Sequence, residues 1–184
     1  MVVIAPLFIS FLVFLSGWWL QRSVFPLVLA ALMVSLVSAG FLLKSVMAQG
    51  TIQYWLGGWQ PPWGIEYRVD HFNAFMLVLV AALALLAAVY SRRSVEAELP
   101  DRVALFWSLY LLLITGLLGI IVTGDMFNLF VLLEVVSLTG YALIAIGRGR
   151  ATLASFRYLI LGTIGACFYL IGVEIGRASC RERV

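Results

Sequence analysis

The sequence predicts an all-α, polytopic integral membrane protein with about six transmembrane helices. Apolar runs of about 19 to 24 residues, long enough to cross a bilayer, recur six times along the chain. Hydrophobic residues make up 64% of the chain and charged residues 11%, with a mean hydropathy of +1.08, outside the range of soluble domains. Most basic residues cluster at or near the ends of the apolar runs. The net charge of +3 therefore needs no nucleic-acid partner, because membrane topology accounts for the arginines. Cys167 and Cys180 suggest neither a disulfide framework nor a metal site. No zinc spacing, phosphate loop or nucleophile elbow occurs, so neither a metal nor a cofactor is expected.

The expected spans are 2–20, 24–47, 72–90, 103–122, 126–146 and 151–173. Nothing positively charged precedes the first apolar run, so residues 1–20 read as a first span rather than a secretory signal. Pro6 and Pro26 fall in first turns, where a missing N–H is harmless. Gly124 and Asp125 break the fourth span from the fifth, with Asp125 as the N-cap. Between the second and third spans, Ile52, Tyr54 and Leu56 alternate with polar or small neighbours, as do Ile65, Tyr67 and Val69. The turn-rich segment between them predicts a short hairpin at the membrane interface. Trp55, Trp59 and Trp63 read as interfacial anchors rather than a ligand cage.

Orientation follows from the basic residues. Arg22, Arg92, Arg93, Arg102, Arg148, Arg150 and Arg157 flank the connections after spans one, three and five, against Lys44 and Arg68 on the other side. That asymmetry places the first set in the cytoplasm and the N-terminus outside, in a bacterial inner membrane.

Glu134 is the residue that points to function. It is the one charge in the apolar run from Met126 to Ile146, roughly halfway across a bilayer at ~1.5 Å per residue. A central acidic residue costs on the order of 2.5–3.5 kcal/mol on insertion scales, so packing alone does not call for it. Ser137 and Tyr141, at i+3 and i+7, share its helix face. Their hydroxyls are candidates to bond the carboxyl or hold a water chain, which a buried carboxyl requires. The rival reading makes Glu134 a structural acid pinned between helices. Arg157, one to two turns inside span six, is a possible charge partner; it could equally snorkel to the cytoplasmic surface. Asp70 and His71 read as a helix start, and Lys44 reaches its helix end by snorkelling. The small residues Thr115, Gly119, Thr123, Gly162 and Ala166 read as close-packing positions.

From Glu174 onward the composition changes abruptly, with five charges in the segment 174–184. Its arginines would face the non-cytoplasmic side, against the charge pattern of every other loop. The string resembles an in-frame translation of a common DNA-sequencing adapter, so residues 174–184 are expected to be non-native and the gene to be cut off in its sixth helix.

The run Thr123-Gly124-Asp125-Met126-Phe127-Asn128-Leu129-Phe130-Val131-Leu132-Leu133-Glu134 resembles the fifth-helix signature of the antiporter-like membrane subunits. Ser137, the stretch Tyr141 to Ala145 and Arg157-Tyr158-Leu159-Ile160-Leu161-Gly162 continue the likeness, and Val69-Asp70-His71-Phe72-Asn73 is similar to the family's third-helix start. The family comprises the large subunits of Mrp-type cation/proton antiporters and the proton-pumping subunits of complex I and of membrane-bound hydrogenases. The resemblance spans roughly residues 50 to 173 and is nearest to the D subunit of the Mrp antiporters. It implies a truncated part of a fold of about fourteen helices, with two inverted five-helix repeats beginning at the fourth. In that fold Glu134 falls on the family's fifth-helix glutamate, whose partner is a seventh-helix lysine; the chain's sole lysine is Lys44.

The resemblance implies a proton-conducting subunit of a multisubunit Na+/H+ antiporter, transport being a property of the full-length parent. Its partners would be other membrane subunits, protons and Na+, and the lipid bilayer. The alternatives are a proton-pumping membrane subunit of NADH-quinone oxidoreductase or a membrane-bound hydrogenase, without its own redox centre, and a structural or assembly membrane protein.

Overall fold

A computed structural model describes residues 1–17, 24–59, 64–147 and 149–181. Six helices run α1 (Ile4–Ser16), α2 (Val24–Gln49), α3 (His71–Glu98), α4 (Val103–Val122), α5 (Met126–Ala145) and α6 (Ala151–Arg181). Between α2 and α3 a hairpin of β1 (Ile52–Trp55) and β2 (Glu66–Val69) pairs antiparallel, with Ile52 opposite Val69 and Tyr54 opposite Tyr67. The helices from α2 to α6 are long and apolar enough to cross a membrane, whereas α1 is an apolar helix of 13 residues. The end of the expected first span, Arg22, Trp63 and Arg148 lie outside the described residues. The chain is thus an all-α, multi-pass membrane protein.

Helix ends follow local chemistry. The Asp70 carboxylate accepts the Asn73 N–H at 2.8 Å and starts α3, satisfying one of the donors that a first turn leaves without a helical partner. α3 continues past residue 90 to Glu98, beyond the apolar run, with Arg92 and Glu96 paired one turn apart at 3.0 Å. α6 passes residue 174 without a break and ends at Arg181.

α1 to α4 form one bundle, in which α1 packs on α2 and α4, α2 on α3, and α3 on α4. Its core holds Val13, Val28, Leu32, Leu77, Leu111, Leu118 and Trp107, all fully buried. Trp107 makes edge contacts with Phe25, Phe106 and Tyr110 at ring-centroid distances of 5.4, 5.4 and 5.6 Å. Hydroxyls supply the polar ties between elements: Ser35 to the Val2 carbonyl, Ser108 to the Ser10 carbonyl, and Tyr110 to the Ala84 carbonyl at 2.7 Å. Where apolar area offers no net drive, because lipid is as apolar as the core, such bonds and close contact hold helices together.

α5 lies outside this bundle. It packs on α4 along one side and on α6 along the other. The hairpin braces the α4–α5 turn, where Gly124 donates to the Glu66 carbonyl at 2.8 Å and Tyr67 bridges to Thr123.

Candidate functional site

The contacts of α5 divide it into two faces. Toward α4, Leu132, Val135 and Val136 seat against glycines: a Cβ at Gly119 would stand 2.7 Å from Leu132 Cδ2, and one at Gly116 2.6 Å from Val136 Cγ2. Toward α6, the Tyr169 hydroxyl donates to the Met126 carbonyl at 3.1 Å, and Phe130 stacks on Tyr169 at 6.2 Å with 12° between the rings. Further along the same side, Tyr141 meets Tyr158 edge-on at 4.8 Å and 82°, and its carbonyl accepts the Ser155 hydroxyl at 2.7 Å. Met126, Phe130 and Tyr141 therefore mark the α6-facing stripe. At ~100° per residue Glu134 and Ser137 fall on that same stripe, between the two aromatic pairs.

The α5 start is fixed by its own turn. The Asp125 carboxylate accepts from the backbone N–H groups of Phe127 and Asn128, and the Asn128 side chain donates to the Thr123 hydroxyl at 2.8 Å. With the helix beginning at Met126, Glu134 sits roughly 12 Å along the axis, well inside a ~30 Å hydrocarbon layer.

Glu134 and Ser137 are half-buried and Tyr141 is buried. The three share a face, but no direct hydrogen bond joins Ser137 or Tyr141 to the carboxyl, and Glu134 has no ion pair, among the described residues. The reason is distance along the helix for Tyr141, which lies nearly two turns away. Its hydroxyl instead seats on Gly162, where a Cβ would overlap Tyr141 Oη. Arg157 is exposed and lies about 120° around α6 from the stripe of Ser155, Tyr158, Gly162 and Tyr169, so the described structure does not bring it to Glu134. Opposite Glu134 the antiparallel seam presents Gly165 and Ala166. Gly165 is exposed, and a Cβ there would meet nothing within 4 Å.

The aromatic residues Phe130, Tyr158 and Tyr169 were missed by sequence reasoning. The spacing 126, 130, 134, 137, 141 carried the signal for Phe130, while Tyr158 and Tyr169 need the register between two helices.

Fold and site together define a multi-pass helical membrane protein with a half-buried acid in the seam between two spans. The chain is 43% identical over 178 residues to the N subunit of NADH-quinone oxidoreductase from Desulforudis audaxviator, covering 94% of this chain and 35% of that protein. It is 32% identical over 145 residues to the D subunit of the Na(+)/H(+) antiporter from Bacillus subtilis, covering 78% of this chain and 29% of that protein. A solved chain of the archaeal membrane-bound sulfane sulfur reductase superposes with a TM-score of 0.85 at 33% identity, over 94% of this chain and 35% of that one. A chain of the Mrp complex from Dietzia superposes with a TM-score of 0.80 at 26% identity, over 94% and 32%. No protein-family model matches. The chain spans about a third of the length of the relatives it matches, and over that third it is homologous to the antiporter-like membrane subunits.

Proposed function

We propose that this chain supplies part of a proton-conducting membrane subunit of a multisubunit Na+/H+ antiporter, with Glu134 as the ionisable group on the ion path. The observation that carries the reading is the position of Glu134: mid-span, half-buried, on the α6-facing stripe, with no ion pair among the described residues. A carboxylate there is costly for packing and useful for exchanging a proton or a cation. An ammonium brought close favours the ionised acid, and its withdrawal favours the protonated one, so movement of a neighbouring cation switches which group holds the proton. In the complete protein that cation is the seventh-helix lysine that the family resemblance implies. Ser137 and Tyr141 would hold water along the same face. Na+ and H+ are the proposed ions, and other membrane subunits the proposed partners. We place the protein in the bacterial inner membrane with the N-terminus and hairpin outside, on the seven-to-two asymmetry of basic residues.

A second reading, a proton-pumping membrane subunit of NADH-quinone oxidoreductase, is favoured by one observation. Identity to the N subunit of that enzyme is 43%, against 32% to the antiporter's D subunit. Both readings give Glu134 the same task.

The test is Glu134→Gln in the complete gene product, which keeps shape and hydrogen-bonding capacity but removes the charge. Proton-coupled transport, read from pH gradients in membrane vesicles, should fall strongly while assembly of the complex is unchanged. Equal transport in wild type and variant would make Glu134 a structural acid. Na+-dependent dissipation of the gradient without a quinone reductant separates the antiporter from the quinone enzyme.

A further inference from the structure

We propose that the Phe130–Tyr169 stack is the seal that separates Glu134 from the hairpin side of the membrane, with Tyr169 as its positioning residue. The proposal rests on the reading of Glu134 as an ion-path residue and adds where that path is closed.

Two aromatic pairs bridge α5 and α6, one on each side of Glu134, and they are built differently. On the hairpin side, Phe130 and Tyr169 lie nearly parallel at 12° with ring centroids 6.2 Å apart, one turn from Glu134. The Tyr169 hydroxyl is engaged by the Met126 carbonyl at 3.1 Å, which holds the ring across the seam at the first residue of α5. On the other side, Ser137 and Tyr141 put hydroxyls on the stripe, and the Tyr141–Tyr158 pair meets edge-on at 82°, nearly two turns from Glu134. Level with Glu134, between the pairs, α6 carries the small residues Gly165 and Ala166. Along the stripe, Glu134 thus has hydroxyls on one side and stacked carbon on the other. Water does not enter hydrocarbon laterally, because its polar partners are absent there. A route from the hairpin side along the α6-facing stripe must therefore pass Phe130 and Tyr169.

The test reads access rather than transport. Glu134→Cys is placed in the complete gene product with Cys167 and every other cysteine of that product replaced by serine, in sealed vesicles, and a charged, membrane-impermeant thiol reagent is added from the hairpin side. With the stack intact, labelling is slow. Tyr169→Ala should raise the rate by about tenfold, the shift in an opening equilibrium expected from losing one aromatic pair and one hydrogen bond. Tyr169→Phe keeps the ring and loses only the hydroxyl bond, and should raise it less, by about fivefold. Tyr158→Ala, which opens the other pair, should leave labelling from the hairpin side unchanged and also serves as the control for general loosening of the seam. Equal rates in wild type and Tyr169→Ala, or an equal rise in Tyr158→Ala, would overturn the proposal. Because the reporter replaces Glu134, the outcome does not depend on whether the carboxyl carries protons; the Glu134→Gln transport assay answers that separately.

Discussion

Gly162→Ala tests whether the α5–α6 seam is built as described, because the sign of its effect is informative. An alanine in a helix interior is ordinarily more stable than glycine by about 1 kcal/mol. At Gly162 the added Cβ would overlap Tyr141 Oη and stand 2.8 Å from Tyr141 Cζ. The ring yields at a cost, since it would give up its edge contact with Tyr158. Overpacking of this kind costs about 1–3 kcal/mol, and displacement of the ring forfeits the aromatic pair, about 0.5–1.5 kcal/mol more. Set against the propensity gain, the net loss should be about 1–3 kcal/mol. The same substitution three residues on, Gly165→Ala, meets nothing within 4 Å and should be neutral or slightly stabilising. The measurement is reversible unfolding in mixed micelles, followed by tryptophan fluorescence, in a double-mutant cycle with Tyr141. Tyr141→Phe removes the overlapping oxygen but leaves the carbon at 2.8 Å, so it should relieve part of the cost. Tyr141→Ala should relieve all of it and restore the propensity gain. If Gly162→Ala costs the same with and without the Tyr141 ring, to within about 0.5 kcal/mol, Tyr141 is not seated on Gly162 and the α6-facing stripe is misassigned.

Asp125→Ala should cost about 1 kcal/mol by leaving the Phe127 and Asn128 N–H groups without their cap; Asp125→Asn should recover most of it, both read by the same unfolding assay. Reporter fusions after Arg93 or Arg150 should report cytoplasm and one after Gly58 the outer side; swapped signals would reverse the proposed orientation. The segment 174–184 is proposed to be foreign to the gene, and resequencing the source locus should find a different continuation after Val173; genomic DNA encoding the same residues would refute this.

The bilayer makes much of this fold legible. Length in the second to sixth apolar runs, the hairpin alternation and the caps Asp70 and Asp125 are local signals, and the structure shows membrane-length helices, strands at Ile52–Trp55 and Glu66–Val69, and both caps; the first run, expected over 2–20, gives a helix of 13 residues among the described ones. Glu134 was legible for the same reason, since a charge inside an apolar run stands out in one dimension. What the sequence hid is what depends on the register between helices. α3 runs on to Glu98, past the apolar run, with Arg92 and Glu96 paired at i,i+4, which a hydropathy window does not register. Arg157 looked like a partner because it is basic and lies within the span, yet its angle on α6, fixed by Ser155 and Tyr158, turns it from the seam. Tyr141 shares a face with Glu134, but its ring is committed to Gly162 and Tyr158. Periodicity on one helix identifies a face; it does not say which neighbour receives it.

The separation of α5 from the α1–α4 bundle has a consequence for biosynthesis. α1 packs on α4, so the bundle closes on itself only once α4 has been made, and at that point the helix carrying Glu134 has yet to follow. When α5 does emerge, the glycine-lined surface of α4 at Gly116 and Gly119 is already on an assembled body. The costly carboxylate then enters the bilayer beside a docking partner rather than alone in lipid. Chains that fold in the order they are synthesised can place their least hydrophobic span late, against a platform already built. Substitutions that loosen the α1–α4 packing, such as any side chain at Gly17, where a Cβ would overlap Ala104, should therefore show first as a failure to insert α5, far from the altered residue.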